Sequence, residues 1–253
     1  MSQTQLTFTN GRSIPVIGFG TWQIEAGEAI EEAVYEALKV GYRLIDTAAI
    51  YGNEEGVGVA LRRAIDEKIV TREEVTITSK VWNDAHGYEE TLAAFEESRQ
   101  RLGLEYIDLY LIHWPVTPQG LYTESWRALE TLLEEGRVHT IGVSNFDRPE
   151  LEVIMEKAHI MPMVNQIEVH HTFQQPELVA YCQSLGMAVQ AYRPLAGGRN
   201  LDHPLLLSLA EKHDRTPAQI VLRYHLERKL AIIPKSIDPL RMKDNRALYN
   251  FSL

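Results

Sequence analysis

Short runs of Val, Ile, Leu and aromatic residues recur along the chain, separated by longer stretches in which apolar positions return every three to four residues. The runs are VIGFGTW (16–22), YRLIDTA (42–48), VTITSKVW (75–82), IDLYLIHW (107–114), HTIGVSNF (139–146), MVNQIEVH (163–170), MAVQAYRPL (187–195) and LAIIPKS (230–236). They are continuous rather than alternating, which predicts strands of a parallel sheet buried on both faces. Segments such as EAIEEAVYEALKVG, EETLAAFEESRQRLG, SWRALETLLEEGR and PELVAYCQSLG read as helices, and several close on the glycine that suits a helix end. Regular alternation of the two predicts an α/β fold.

Eight strand-helix units in 253 residues match the size of a closed (β/α)8 TIM barrel, expected here as a single domain over 1–253. A doubly wound open sheet is the competitor. Its dinucleotide fingerprint is missing, because GFGTWQ lacks the third glycine and GVGVAL lies inside a helical pattern. Two additions are expected. TFTNGRSI predicts an N-terminal hairpin turning at Asn10-Gly11, and HPLLLSLAEKH (203–213) predicts an extra helix before the last strand-helix unit. No linker or low-complexity tract divides the chain.

Composition narrows the function. A formal net charge of −10, from 35 acidic and 25 Lys plus Arg residues, argues against general affinity for nucleic acid or a membrane surface. Any anionic ligand needs a local basic cluster. The single cysteine, Cys182, excludes an internal disulfide framework, so a reducing, cytoplasmic setting is expected. MSQTQLTFTNGRS is polar, without the basic and apolar regions of a leader, and no run approaches the length of a membrane helix. A soluble monomer is expected.

In such a barrel the carboxyl ends of the strands carry the chemistry. Here they hold Gly20-Thr21-Trp22, Asp46, Ser79-Lys80-Val81-Trp82, His113-Trp114, Ser144-Asn145, Gln166-Ile167-Glu168, Tyr192-Arg193-Pro194 and Pro234-Lys235-Ser236. Taken singly, Asp46 reads as a turn former or helix cap, and Tyr51 as a packed ring with a wet hydroxyl. Lys80 alone reads as a chain reaching water with its head, and His113 as a satisfied core residue. Yet three of the four end consecutive strands, and Tyr51 follows the first within reach of the same mouth. Together they have a chemistry. A tyrosine titrates near ~10 and is a weak acid at neutrality. An ammonium within ~4–6 Å is expected to lower that value by ~1–3 units. Asp46 would hold Lys80 charged, and a neutral His113 could orient a carbonyl oxygen toward Tyr51. Trp22, Trp82 and Trp114 at strand ends are expected to wall an apolar substrate pocket, whereas Trp126 sits in a helical pattern and is assigned to the core.

DTAAIYGNE, ITSKVW, LIHWP, GVSNF, NQIE and IPKS, in this order and spacing, resemble the aldo-keto reductase family, in the manner of its bacterial diketogluconate and methylglyoxal reductases. The resemblance runs from about Leu6 to Leu253. It implies NADPH-dependent reduction of aldehydes and ketones, with a catalytic tetrad at Asp46, Tyr51, Lys80 and His113. It also implies that Ser144, Asn145 and Gln166 bond the nicotinamide carboxamide and that Tyr192 stacks on the ring. Lys235, Ser236 and Arg241 fall at the 2′-phosphate site and Asn245 at the adenine, with Thr21, Trp22, Asp46, Arg193 and Leu195 completing the cofactor set. Substrate contacts are implied for Trp22, Tyr51, Trp82, His113 and Trp114.

Three features depart from that pattern. Arg193 stands where serine is usual, and is expected either to meet a cofactor phosphate or to crowd its path. His171 replaces a proline after His170; adjacent strand residues face opposite ways, so the pair is a poor chelate and no metal is expected. Relatives continue past the equivalent of Phe251-Ser252-Leu253 with a helix and a tail over the substrate pocket, and the sequence stops there. A broad, open site with weak substrate binding and poor discrimination is the corresponding expectation. Two other readings stay open: a barrel aldolase using Lys80 as a Schiff-base nucleophile, which Asp46 disfavours by holding the amine protonated, and an NADPH-bound scaffold without turnover.

Overall fold

A computed structural model of the chain describes residues 5–253. The first four residues of the polar N-terminal stretch lie outside the described part. The hairpin appears as β1 (Gln5–Thr7) paired antiparallel with β2 (Ser13–Pro15). Gly11 takes φ +80 in its turn, a conformation open to glycine at little cost.

The eight predicted strands are all present: β3 (Phe19–Gly20), β4 (Leu44–Asp46), β5 (Thr76–Val81), β6 (Ile107–Ile112), β7 (Val138–Ser144), β8 (Val164–Glu168), β9 (Ala188–Tyr192) and β10 (Ala231–Ile233). They form one parallel sheet in sequential order from β3 to β10. The sheet closes on itself. Ile17 bridges Ile232 in parallel, Gly18 N–H donates to the Ile232 carbonyl, and Gly20 N–H donates to the Pro234 carbonyl. The closing ladder is short because Pro234 has no N–H to return.

Helices α1 (Glu28–Lys39), α2 (Glu54–Asp66), α3 (Tyr88–Leu102), α4 (Tyr122–Glu134), α5 (Arg148–Lys157), α6 (Pro176–Ser184), α7 (Pro204–His213), α8 (Pro217–Glu227) and α9 (Pro239–Arg246) surround the sheet. α7 is the extra helix. GVGVAL lies within α2, where a Cβ on Gly58 would stand 2.2 Å from the Leu102 carbonyl oxygen. That glycine serves helix packing and not a phosphate. The pattern of Trp126 also holds: it is buried, and its indole N–H donates to the Ile160 carbonyl.

Alternation along the strands decides what faces the barrel interior. Leu44, Leu109, Leu111, Val164 and Ile233 pack inside with Phe8 and Ile14 of the hairpin, which plugs the amino-terminal end. Ile45, Ile77, Tyr110, Ile112 and Val143 point outward and pack with the helices. Counting two residues onward from Leu44, Leu111 and Val164 reaches Asp46, His113 and Gln166, and the same step from the buried Thr78 of β5 reaches Lys80. The functional candidates are therefore the top layer of the barrel core.

Candidate active site

The strand ends open into a cleft of about 1400 Å³ at the carboxyl-terminal mouth. Asp46, Tyr51 and His113 line it, with Trp22, Trp82 and Trp114 along its wall. Ser144, Asn145, Gln166, Tyr192, Arg193 and Leu195 line it too. So do Lys235, Ser236, Arg241 and Asn245. Two expected residues do not. Thr21 is fully buried with its hydroxyl donating to the Asp46 backbone carbonyl, so it supports the cleft from behind. Lys80 is wholly buried beneath the floor.

Lys80 has three donors and three partners. Its Nζ lies 2.7 Å from Asp46 Oδ1, 2.8 Å from the Thr47 carbonyl and 3.5 Å from the Tyr51 hydroxyl. Burial pulls the ammonium's pKa down, but Asp46 and Tyr51 outweigh it and the pKa stands above the ordinary lysine value. A Schiff-base nucleophile needs the opposite, a neutral amine at working pH.

Tyr51 closes a single 3-10 turn, Ala49–Tyr51, and Gly52 follows at φ +66. The turn is pinned by a residue that the sequence reading passed over. Asn53 is buried, donates Nδ2 to the Thr21 and Ile24 carbonyls, and accepts the Thr47 hydroxyl at Oδ1. Its only signal in sequence is a Gly-Asn pair after the tyrosine. The expected depression of the Tyr51 pKa is corrected by the structure. Burial raises it, and this outweighs the lowering by Lys80, to which Asp46 adds a further raising contribution. Tyr51 is thus a protonated donor throughout the neutral range.

His113 meets Tyr51 edge-on at 5.7 Å between ring centroids and Trp82 at 5.0 Å. Burial, helped by the nearby Lys80 cation, pushes its pKa down to about 2. The imidazole is neutral, with one ring N–H left to donate to a carbonyl oxygen. Asn145 Nδ2 donates to the His113 carbonyl and to Ser144 Oγ, while its Oδ1 accepts the Tyr192 hydroxyl at 2.8 Å. These bonds set the Tyr192 ring against the mouth. Asn145 reaches them from a left-handed backbone, φ +61.

Arg193 also stands in the left-handed region, at φ +47. Its guanidinium pairs with Glu168 at 3.4 Å and lies 5.8 Å from the centre of the Trp22 ring. Glu168 is shared with His170, whose Nε2 stands 3.5 Å away, and the His170 and His171 rings are 6.1 Å apart.

Behind this loop, His225 of α8 is fully buried and its Nε2 meets the Pro194 carbonyl at 3.1 Å. Burial pushes its pKa down to about 4, partly offset by that hydrogen bond. The unfolded chain therefore takes up a proton first as pH falls below the ordinary histidine value, and stability declines until about pH 4. The expected loss from this group is about 2 kcal/mol at pH 5 relative to pH 7. Thermal melts of His225→Gln should show a smaller drop between those pH values than the parent, and an equal drop would remove His225 from the account.

The cleft fits a dinucleotide phosphate. Its volume is large enough to hold two nucleotides, and its lining combines an aromatic ring and amide groups, Tyr192, Asn145 and Gln166, with Lys235 and Arg241 on an otherwise acidic chain. Arg241 is largely exposed, and its nearest carboxylate, Asp238, is 3.9 Å away, which leaves its charge free for an anion.

Comparison with known proteins agrees with this chemistry. The chain is 51% identical over 251 residues to the uncharacterized oxidoreductase YtbE of Bacillus subtilis, covering 99% of the chain and 89% of that protein. It is 48% identical over 244 residues to the glyoxal reductase of the same organism, covering 96% and 86%. A crystal structure of a Bombyx mori aldo-keto reductase in complex with NADP superposes with a TM-score of 0.93 at 40% identity, covering 100% of the chain and 90% of that one. The aldo/keto reductase family model matches residues 16–253, and the chain belongs to that family of NADPH-dependent carbonyl-reducing oxidoreductases.

Proposed function

We propose that the protein reduces small and aromatic aldehydes and ketones to alcohols, with broad specificity, and that Tyr51 donates the proton. The observation that carries this reading is the buried chain Asp46, Lys80, Tyr51, in which the ammonium is held between a carboxylate at 2.7 Å and the phenol at 3.5 Å. When bound, NADPH supplies the hydride. Ser144, Asn145 and Gln166 orient the nicotinamide end by its carboxamide, and Tyr192 offers a flat face for the ring. His113, neutral, donates to the substrate oxygen and holds it near the Tyr51 hydroxyl. Tyr51 gives up its proton as charge develops on that oxygen, and Lys80 stabilises the phenolate left behind. The three tryptophans supply an apolar wall with few other polar groups, which suits aldehydes of varied shape. The glyoxal reductase among the relatives makes dicarbonyls the first compounds to try.

The test is NADPH oxidation with methylglyoxal and a nitrobenzaldehyde. Turnover of both is expected, and no turnover of any member of a wider aldehyde panel would contradict the reading. Lys235, Ser236 and Arg241 are assigned to the 2′-phosphate. Removing Arg241 or Lys235 is expected to weaken NADPH binding by about tenfold or more, the worth of one charged hydrogen bond, and to leave NADH binding unchanged. Equal losses for both cofactors would move these cations off the 2′-phosphate.

A further inference from the structure

Gln190 lies on β9, two residues before Tyr192, with its side chain fully buried in the barrel. Its Oε1 accepts a hydrogen bond from Gln166 Nε2 at 2.7 Å, and the same Nε2 donates to Asp46 Oδ2 at 2.7 Å. Asp46 is ion-paired with Lys80, and a carboxylate only accepts. The amide nitrogen of Gln166 must therefore face Asp46, which settles the orientation of a group that geometry alone leaves ambiguous. Both of its N–H bonds are then engaged. The remaining polar atom, Gln166 Oε1, takes no hydrogen bond from any described residue, and Gln166 lines the cleft.

Gln190 is a poor choice for stability. Its Nε2 is buried without a partner among the described residues. An unpaired buried amide is unfavourable, and an apolar side chain of the same length would avoid it. What Gln190 does provide is the second acceptor for the Gln166 amide nitrogen. Asp46 alone would leave one N–H free to turn toward the cleft.

We propose that Gln190 is a positioning residue for the cofactor: together with Asp46 it locks the Gln166 amide so that Oε1 faces the cleft as an acceptor for the nicotinamide carboxamide N–H. This rests on the reading that Gln166 meets the carboxamide. It also links that contact to the proton-donating chain, since one amide bridges the carboxamide site and the carboxylate that holds Lys80.

The test compares NADP with its 3-acetylpyridine analogue, which keeps a carbonyl but has no N–H to donate, in calorimetric titrations of the whole protein. The parent should prefer NADP. Gln190→Leu should weaken NADP binding about fivefold, the worth of one ordinary hydrogen bond, and leave the analogue unchanged. Its melting temperature should be no lower than the parent's. Gln166→Ala should lose the same preference, and adding Gln190→Leu to it should change nothing more. Gln190→Met carries the same expectation should the leucine variant not fold. If Gln190→Leu weakens both ligands equally, or acts undiminished in the Gln166→Ala background, Gln190 is merely structural and the proposal fails. If Gln166→Ala keeps the full preference for NADP, the assignment of Gln166 itself fails, a separate outcome.

Discussion

Tyr51→Phe is expected to lower kcat for aldehyde reduction by about 10²–10⁴-fold, the usual worth of a positioned general acid, while NADPH still binds. The substitution removes one oxygen and leaves the ring between His113 and Lys80. Lys80 keeps its contacts to Asp46 Oδ1 and the Thr47 carbonyl, so the floor of the site retains its charge balance. Folding should suffer by only about 1 kcal/mol, the net value of one hydrogen bond. His113 cannot substitute as the acid, because with its pKa near 2 it is neutral at neutral pH, and the one N–H it keeps can donate a hydrogen bond but is too weakly acidic to give up its proton. Steady-state rates alongside a fluorescence titration with NADPH separate the two effects. A Phe variant retaining a tenth or more of the parent's turnover would show that another group, or water, protonates the product.

The second large effect is on stability. Asp46→Asn is expected to destabilise the fold by about 3–5 kcal/mol, as is usual when one partner of a buried ion pair is removed, and to lower the melting temperature on the order of 10 °C. Asp46 is flanked by donors on both sides, Lys80 at Oδ1 and Gln166 at Oδ2. An asparagine has only one oxygen, so its amino group must face one of those donors and leave it unpaired. The Lys80 ammonium would remain fully buried without a counter-charge. The double variant Asp46→Asn/Lys80→Met should recover much of the lost stability and none of the activity, since the charge is gone together with its role. Differential scanning calorimetry on the three proteins decides it. A single variant as stable as the parent would mean that water or another carboxylate neutralises Lys80.

The fold was legible because each strand is buried on both faces and so appears as an unbroken apolar run, and because helices and strands alternate without a break. The candidate site was legible for a related reason. A polar residue that ends a buried strand at the mouth of a barrel stands out, and Asp46, Lys80, His113 and Gln166 each do. Less visible were contributions that depend on depth or on neighbours far along the chain. The sign of the Tyr51 shift turned on burial, which motif spacing does not reveal, whereas its cationic partner could be read directly. Thr21 faces away from the cleft because Gly20 before it faces in, and successive residues of an extended chain point to opposite sides. Asn53 looks like part of a turn until its three partners come together around it. Gln190 is a single polar residue inside an apolar strand, and only the register of β8 with β9, which pairs it with Gln166, gives it meaning. Arg193 met a partner, Glu168, that belongs to the preceding strand.

The most direct test of the central claim is hydride transfer itself. NADPH deuterated at the reactive ring carbon, incubated with the protein and methylglyoxal, should yield an alcohol carrying one deuterium on the former carbonyl carbon, and Tyr51→Phe should form that product far more slowly. A protein that binds the labelled cofactor tightly yet returns it unchanged, with no labelled alcohol from any aldehyde tried, would contradict the account and leave a cofactor-binding protein without reductase chemistry.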